Sequence, residues 1–298
     1  MSLKLSSRVQ SMQPSATLSM AQAARELADS GVDVVILSAG EPDFETPKAI
    51  SEVAKKSLDE GKTHYVPVRG TKNMIASMQK KFLRDQGVNY SFDEVMCTSG
   101  AKSAILMSLE AVVEDGDEVI IFAPFWVSYM EHVRMVRGVP VVVNCTESDD
   151  FMPTAKALKA AITKKTKAII LNSPNNPSGG VISEQQVRDL ADVLKGTGIW
   201  LISDEIYEKL LFDGAKHYSP AAISDDMRHR TIVISGASKG YAMTGWRVGV
   251  MAGNKAIISA LNKLQGQQVT CLPEFIQDAS AFALNENAKI QAEISSML

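Results

Sequence analysis

The chain has 298 residues, of which 45% are hydrophobic and 22% charged, a balance ordinary for a folded globular protein and one that excludes a disordered chain. Its 31 basic and 34 acidic residues leave a formal charge of -3, without the basic excess that nucleic acid or an anionic membrane surface would require. Three cysteines, Cys97, Cys145 and Cys271, are odd in number and widely spaced, which fits neither a disulfide framework nor a zinc site; a reducing compartment and no metal are expected.

The first residues, MSLKLSSRVQSMQPSATLSM, hold no continuous apolar core before a small-residue cleavage site, and no later run is long enough to span a bilayer. The expected location is the cytoplasm. A helix is expected through SMAQAARELADSG, followed by VDVVILSAGEPDF, and these residues are expected to form part of a separate, smaller unit. Short runs rich in Val and Ile then recur between stretches of helical spacing. EVMCTS, EVIIFAP, VPVVVNC, KAIILNS, IWLISDE, TIVIS and RVGVMAG read as strands, with helices over 101–114, 184–194 and 255–264 among those between them. The alternation predicts an α/β fold built on a mainly parallel seven-stranded sheet flanked by helices. In NENAKIQAEISSML, the apolar Ile290, Ile294, Met297 and Leu298 fall on one helical face with no stop signal after them, so the chain is expected to end inside a helix, as a fragment would.

Ligands of open α/β sheets collect where strands end and loops enter helices, and four clusters sit at such ends. TSGAKSA, Thr98 to Ala104, has the small residues and helix start of an anion cradle; a plain capped turn has the same look. NSPNNPSGG, Asn172 to Gly180, is stiff enough to aim an amide, or is an ordinary turn. In LISDEIYEKL, Asp204 closes an apolar strand and needs a cationic partner unless it caps a helix, and Tyr207 follows three residues later. In SGASKGYAMTGWRVG, Lys239 is a surface lysine or an amine nucleophile toward aldehydes, and Arg247 clamps a phosphate or pairs with an acid. Together the four supply an anion site, an electron-sink partner, a phenol with an amide, and an amine, which is the set pyridoxal phosphate needs.

The ordered motifs SAGEPDF, THYVPVRG, PFWVSY, NSPNNPSG, SDEIYE and SKGYAMTGWRVG resemble those of the class I and II aminotransferases of pyridoxal-phosphate fold type I, most closely the bacterial-type aspartate aminotransferases. The resemblance runs from RVQSMQPSAT to the last residues. It implies that Lys239 forms the Schiff base with the cofactor and later moves the substrate's α-proton, that Asp204 pairs with the pyridinium nitrogen, and that Tyr207 and Asn176 hydrogen-bond the ring's phenolic oxygen. Trp126 resembles the stacking aromatic; Ser99, Gly100, Ala101, Ser238 and Arg247 resemble the phosphate cup, with Tyr65 reaching it from the second subunit of a homodimer. Gly40 and Asn176 would meet the substrate α-carboxylate, while Ser15, Thr17 and Lys102 would meet a distal acid. The implied reaction is ping-pong transamination between aspartate or glutamate and a 2-oxo acid, with prephenate another acidic acceptor.

The implied domains are an arm and small-domain portion over 1–44, a large cofactor-binding domain over 45–284, and the start of a connecting helix over 285–298. The family's second carboxylate-gripping arginine lies in a C-terminal small domain that this sequence does not reach. Two positions depart from the pattern: Gly236 stands where a hydroxyl is frequent, leaving Ser235 or Ser238 to serve the phosphate, and Ser178 replaces the usual threonine. A lyase acting at the β or γ carbon would keep Lys239, Asp204 and Arg247, but the acid-recognising Ser15, Thr17 and Lys102 argue against it. A cofactor-binding protein without efficient turnover is the non-enzymatic alternative.

Overall fold

A computed structural model describes residues 3–35 and 40–297 of the chain. Seven strands, β1 (Val95–Thr98), β2 (Glu118–Ala123), β3 (Val139–Asn144), β4 (Thr166–Asn172), β5 (Trp200–Asp204), β6 (Thr231–Gly236) and β7 (Gly249–Ala252), form one sheet in the order β1-β7-β6-β5-β4-β2-β3. Strands β2 to β6 run parallel, and β7 runs against both of its neighbours, β1 and β6. Each of the seven runs picked out from composition is one of these strands.

Helices α1 (Ser7–Ser11) and α2 (Ala16–Asp29) lie in the N-terminal arm, and α3 (Lys48–Asp59) and α4 (Lys72–Gln86) precede the sheet. Successive strands are joined through α5 (Ala101–Val112), α6 (Ser128–Met135), α7 (Ala155–Ala161), α8 (Glu184–Leu194) and α9 (Asp225–Arg230). After β7 come α10 (Lys255–Gln268), α11 (Glu274–Asn285) and α12 (Asn287–Ser295).

Because side chains alternate along a strand, each strand serves two helix layers. Met96, Ile121, Ile170, Ile202, Ile234 and Met251 pack with α5, α6 and α10 on one face. On the other, Cys97, Val233 and Val250 meet α3, α4, α11 and α12, while Ile120, Ile169 and Leu201 meet α7 and α8. Coverage of both faces explains why the central strands read as unbroken apolar runs. Edge strand β3 is more exposed and tolerates Pro140, whose missing N–H costs no ladder bond on the open side.

Three boundaries differ from expectation. Helix α5 stops at Val112 because the Asp117 carboxylate accepts from the Glu114 amide at 2.9 Å, drawing Glu114 into a turn. Helix α10 extends to Gln268, past the buried Gln265, which donates to the carbonyls of Val68 at 2.6 Å and Cys97 at 3.0 Å. In the last helix Ile290 and Ile294 are buried against the α3/α4/α11 layer, but Met297 lies beyond its end and is 41% exposed; Leu298 falls outside the described residues. None of the described side chains in α1 and α2 is buried.

The reversal into β7 brings the two ends of one loop to the sheet beside α5. Gly236 of β6 pairs with Gly249 of β7, and Gly249 also pairs with Thr98 of β1. Residues 237–248 therefore leave and re-enter the sheet beside the start of α5. The contact leaves no room for a side chain: a Cβ on Gly249 would lie 2.7 Å from the Gly100 carbonyl carbon and 2.9 Å from the Ala101 nitrogen. Gly249→Ala should lower stability by about 1–3 kcal/mol, the usual cost of overpacking, read as a lower urea midpoint. An unchanged midpoint would show that the junction is looser than described.

Candidate active site

A cavity of about 750 Å³ opens where β4, β5 and β6 end and α5 begins. Strand parity turns Asp204 toward it: Ile202 packs in the α5/α6 layer, and Asp204, two residues later, keeps that face. The carboxylate is 3% exposed. It accepts from the Tyr129 hydroxyl at 2.6 Å and from the Ile206 amide at 3.2 Å, and among the described residues no cationic side chain pairs with it. Burial pushes its pKa up to about 6, against the opposing pull of these two donors.

Around this acid the other groups are held by short contacts. Asn172, at the end of β4, donates to the Asp204 carbonyl at 2.9 Å and accepts from the Asn176 amide at 2.8 Å. Asn176 in turn donates through Nδ2 to the Tyr207 hydroxyl at 3.0 Å. Burial raises the Tyr207 pKa, and the Asn176 donor offsets part of that. The Ser178 hydroxyl donates to Asn175 Oδ1 at 2.8 Å, so it braces the loop internally. Trp126 is met edge-on by Tyr129 (centroids 5.5 Å apart, 89°) and by His132 (6.0 Å, 90°), which fixes its plane. Burial pushes the His132 pKa down to about 4, so that ring is neutral at pH 7. Lys102 lies 4.9 Å over the Trp126 ring, and burial, reinforced by Arg247, lowers its pKa.

Lys239 Nζ donates to the Gly40 carbonyl and lies 5.9 Å from the Tyr207 ring centroid. Burial lowers its pKa, Glu41 opposes this, and Arg247 adds to it. Arg247 is in the left-handed region with φ 57° and donates to the Thr244 carbonyl at 2.9 Å. Gly100, with φ +87°, takes a backbone conformation that strains any other residue, and the Arg247 guanidinium lies where its Cβ would be. The guanidinium and the free amides at the start of α5 thus lie together, an arrangement suited to an anion.

Lys239, Asp204, Tyr207, Asn176, Trp126, Ala101, Lys102, Ser238, Arg247 and Gly40 all line the one cavity. Ser99 and Gly100 stand just before Ala101, outside the lining. Of the two hydroxyls considered for an anion, Ser235 donates to Glu208 at 2.5 Å on the opposite face, whereas Ser238 is in the cavity. Gly236 cannot supply one: a Cβ there would lie 2.6 Å from the Val248 carbonyl oxygen. Tyr65 is 87% exposed and Ser15 sits at the N-cap of α2, neither of them in this cavity. Thr17 belongs to α2, with its side chain outside the described residues. Sequence reasoning missed Tyr129 and Asn172. Both were inside motifs already noticed, Tyr129 three residues after Trp126 and Asn172 at the end of an apolar strand.

Residues 32–298 match the family described as aminotransferase class I and II. An aspartate aminotransferase of Geobacillus stearothermophilus is 44% identical over 281 residues, covering 94% of this chain and 71% of that one. A probable aspartate/prephenate aminotransferase of Thermus aquaticus is 42% identical over 291 residues, 98% of this chain and 75% of the other. The aspartate aminotransferase from Thermus thermophilus with maleate matches with a TM-score of 0.94 at 39% identity, over 99% of this chain and 76% of its own. The architecture is therefore the aspartate aminotransferase fold. The chain belongs to the class I and II aminotransferases.

The raised pKa of Asp204 has a consequence for the ligand-free protein. Its folded value, about 6, lies above the ordinary aspartate value of 3.8, so the neutral acid favours the fold. That contribution is complete below about pH 4 and is gone above pH 6, where a buried charge remains. Asp204→Asn should then stabilise the ligand-free protein at pH 7.5 by roughly 3 kcal/mol, taking ~1.4 kcal/mol per pKa unit. The gain should shrink toward zero at pH 4, as compared by urea midpoints; a gap independent of pH would contradict the assigned ionisation.

Proposed function

We propose that the protein transfers amino groups between an acidic amino acid, aspartate or glutamate, and a 2-oxo acid, using pyridoxal 5'-phosphate held in this cavity. The carrying observation is that Lys239 and a buried carboxylate without a cation, Asp204, line the same cavity as the Arg247 and α5 anion site. The residues fit the cofactor at each point. Asp204 suits a pyridinium N–H, the bonded pair Tyr207 and Asn176 a phenolic oxygen, and the braced Trp126 a ring face. Ala101, Ser238 and Arg247, with Ser99 and Gly100 behind them, suit the phosphate.

When bound, the cofactor supplies an aldehyde carbon that condenses with amines and a protonated ring that withdraws the electrons left when a substrate Cα–H bond breaks. Asp204, ionised beside a ring N–H, would keep that nitrogen protonated. Lys239, its pKa lowered by burial, would be the residue that holds the aldehyde carbon and, once free of it, would move the substrate α-proton. Tyr207 and Asn176 stabilise negative charge on the phenolic oxygen. The two substrates use the cavity in turn, in ping-pong order, the donor leaving as its oxo acid before the acceptor enters.

Lys102 would meet the distal carboxylate, with Ser15 and Thr17, and Gly40 and Asn176 the α-carboxylate. The Thermus thermophilus neighbour was solved with maleate, a dicarboxylate, which supports the acidic substrate class; prephenate remains a second acceptor of that class. We also propose a homodimer with shared sites. The support is the exposed Tyr65 and the exposed apolar Leu3, Leu5, Val9 and Met20 of the arm. We assign residues 45–284 to the cofactor-binding unit, 1–44 to the arm and a portion of a smaller unit, and 285–298 to the start of the connection to a further unit. Its three free cysteines support a reducing, cytoplasmic setting. No helix among the described residues is long and apolar enough to cross a membrane.

Adding aspartate or glutamate to the cofactor-loaded protein should convert the bound cofactor's absorbance to that of its amine form. Tried in turn with other single amino acids, release of pyruvate and ammonia from one that carries a β leaving group, with unchanged absorbance, would mean a lyase instead. Lys239→Ala should bind cofactor without a borohydride-reducible link, and a link persisting at another lysine would displace the assignment. Lys102→Ala should raise KM for aspartate ~10-fold or more, the loss of a charge-assisted hydrogen bond of about 1.5–3 kcal/mol, while leaving alanine turnover nearly constant. Equal effects on both substrates would remove Lys102 from distal-acid recognition.

A further inference from the structure

Behind the cavity, on the opposite face of β5, lies a second, largely buried polar array outside the cavity lining. It begins with the residue next to Asp204. Glu205 continues the parity of Leu201 and Ser203 and points toward α4, where it is 1% exposed. Its Oε1 accepts from Ser203 at 2.8 Å and Ser219 at 2.7 Å; its Oε2 accepts from Gln86 at 2.5 Å and from His217 Nε2 at 2.8 Å. Its backbone N–H donates to the Ile234 carbonyl of β6 at 2.7 Å. Three residues on, Glu208 repeats the arrangement. Ser235 of β6 donates to it at 2.5 Å, Gln86 at 3.3 Å, and Lys81 of α4 lies 2.5 Å away as its counter-ion.

The SDEIYE stretch is thus split between two faces. Asp204 and Tyr207 enter the cavity, while Glu205 and Glu208 are tied to α4 and β6 behind it. Two carboxylates buried this deeply cost several kcal/mol unless fully partnered, and an apolar pair of similar size could serve stability as well. What the charged pair adds is direction, since each carboxylate takes donors from separate elements and tolerates little displacement of the backbone between them.

We infer that Glu205 and Glu208 are positioning residues: anchored on α4 and β6, they fix the backbone of residues 204–208 and so set how Asp204 and Tyr207 meet the cofactor ring, a role that rests on the cavity being a pyridoxal phosphate site. Misplacement by about 1 Å is enough to cost an active site ~100-fold.

The test uses the full chain. Glu205→Gln keeps the shape but removes the charge and turns an amide toward the donors of Gln86 and His217. It should raise the Kd for pyridoxal phosphate ~10-fold or more and shift the pH midpoint of the bound cofactor's absorbance, with borohydride trapping at Lys239 retained. Glu205→Asp should recover part of both. A Kd and midpoint equal to those of the unmodified protein, with only the ligand-free Tm lowered, would overturn the proposal and leave Glu205 a stability element. Should Glu205→Gln not fold, Ser219→Ala removes one of its four side-chain donors. It should move Kd ~3-fold and the midpoint in the same direction, and no movement overturns the role. Absence of a borohydride-reducible cofactor in the unmodified protein would instead fail the cavity reading itself, and this inference with it.

Discussion

Asp204 holds a carboxylate in the interior at the end of an apolar strand, with a phenol and a backbone amide as its partners. The group is buried and among the described residues no side-chain cation pairs with it, so the surrounding chain has to keep it aligned or lose stability to it. The neighbours answer that requirement. Asn172 secures the Asp204 carbonyl, Tyr129 secures a carboxylate oxygen, and Glu205 continues the bond to β6 through its own amide. The geometry of Asn176, Tyr207 and Trp126 then follows from the same anchors, because Asn172 also holds Asn176 and Tyr129 also braces Trp126.

The single departure from parallel order serves the same site. A parallel strand after β6 would require a crossover carrying the chain to the far end of the sheet. Reversal into β7 requires only residues 237–248, so Lys239 and Arg247, near the two ends of that loop, stay beside the α5 N-terminus. Close packing at Gly100 and Gly249 makes the approach possible. The topology thus delivers an amine and a guanidinium to one cavity from a single connection.

Polar groups on the two faces of β5 divide the work. Among the described residues, the cavity face carries an acid without a cationic partner, and the α4 face carries two acids that accept from donors on several elements, one of them paired with a lysine. Reactivity suits the group with fewer partners, and rigidity the ones held by several. Both come from one short segment: alternation at the end of β5 separates Asp204 from Glu205, and the turn that follows brings Tyr207 to the first face and Glu208 to the second.

Seven apolar runs were legible as strands because both sheet faces are covered, which leaves a strong local signal in residues such as Val119 to Phe122 and Ala168 to Leu171. Lys239, Asp204, Tyr207, Asn176 and Arg247 were legible as a set because their motifs occur in a specific order. Helix ends were less so: Gln265 prolongs α10 through bonds to residues about 170 and 200 positions away, which no local window contains. Tyr129 and Asn172 stood inside recognised motifs, but nothing local says which residue of a motif faces a carboxylate. Ser235 and Ser238 were equivalent candidates until strand parity turned Ser235 to the far face and the turn after β6 put Ser238 in the cavity. The sequence by itself determined the strand–helix alternation and the chemical inventory, since both are written in neighbouring residues. Only the tertiary structure decided which face each acid takes, which serine reaches the cavity and how Lys239 meets Arg247, because those depend on the long-range pairings of β5 with β6 and of Gly236 with Gly249.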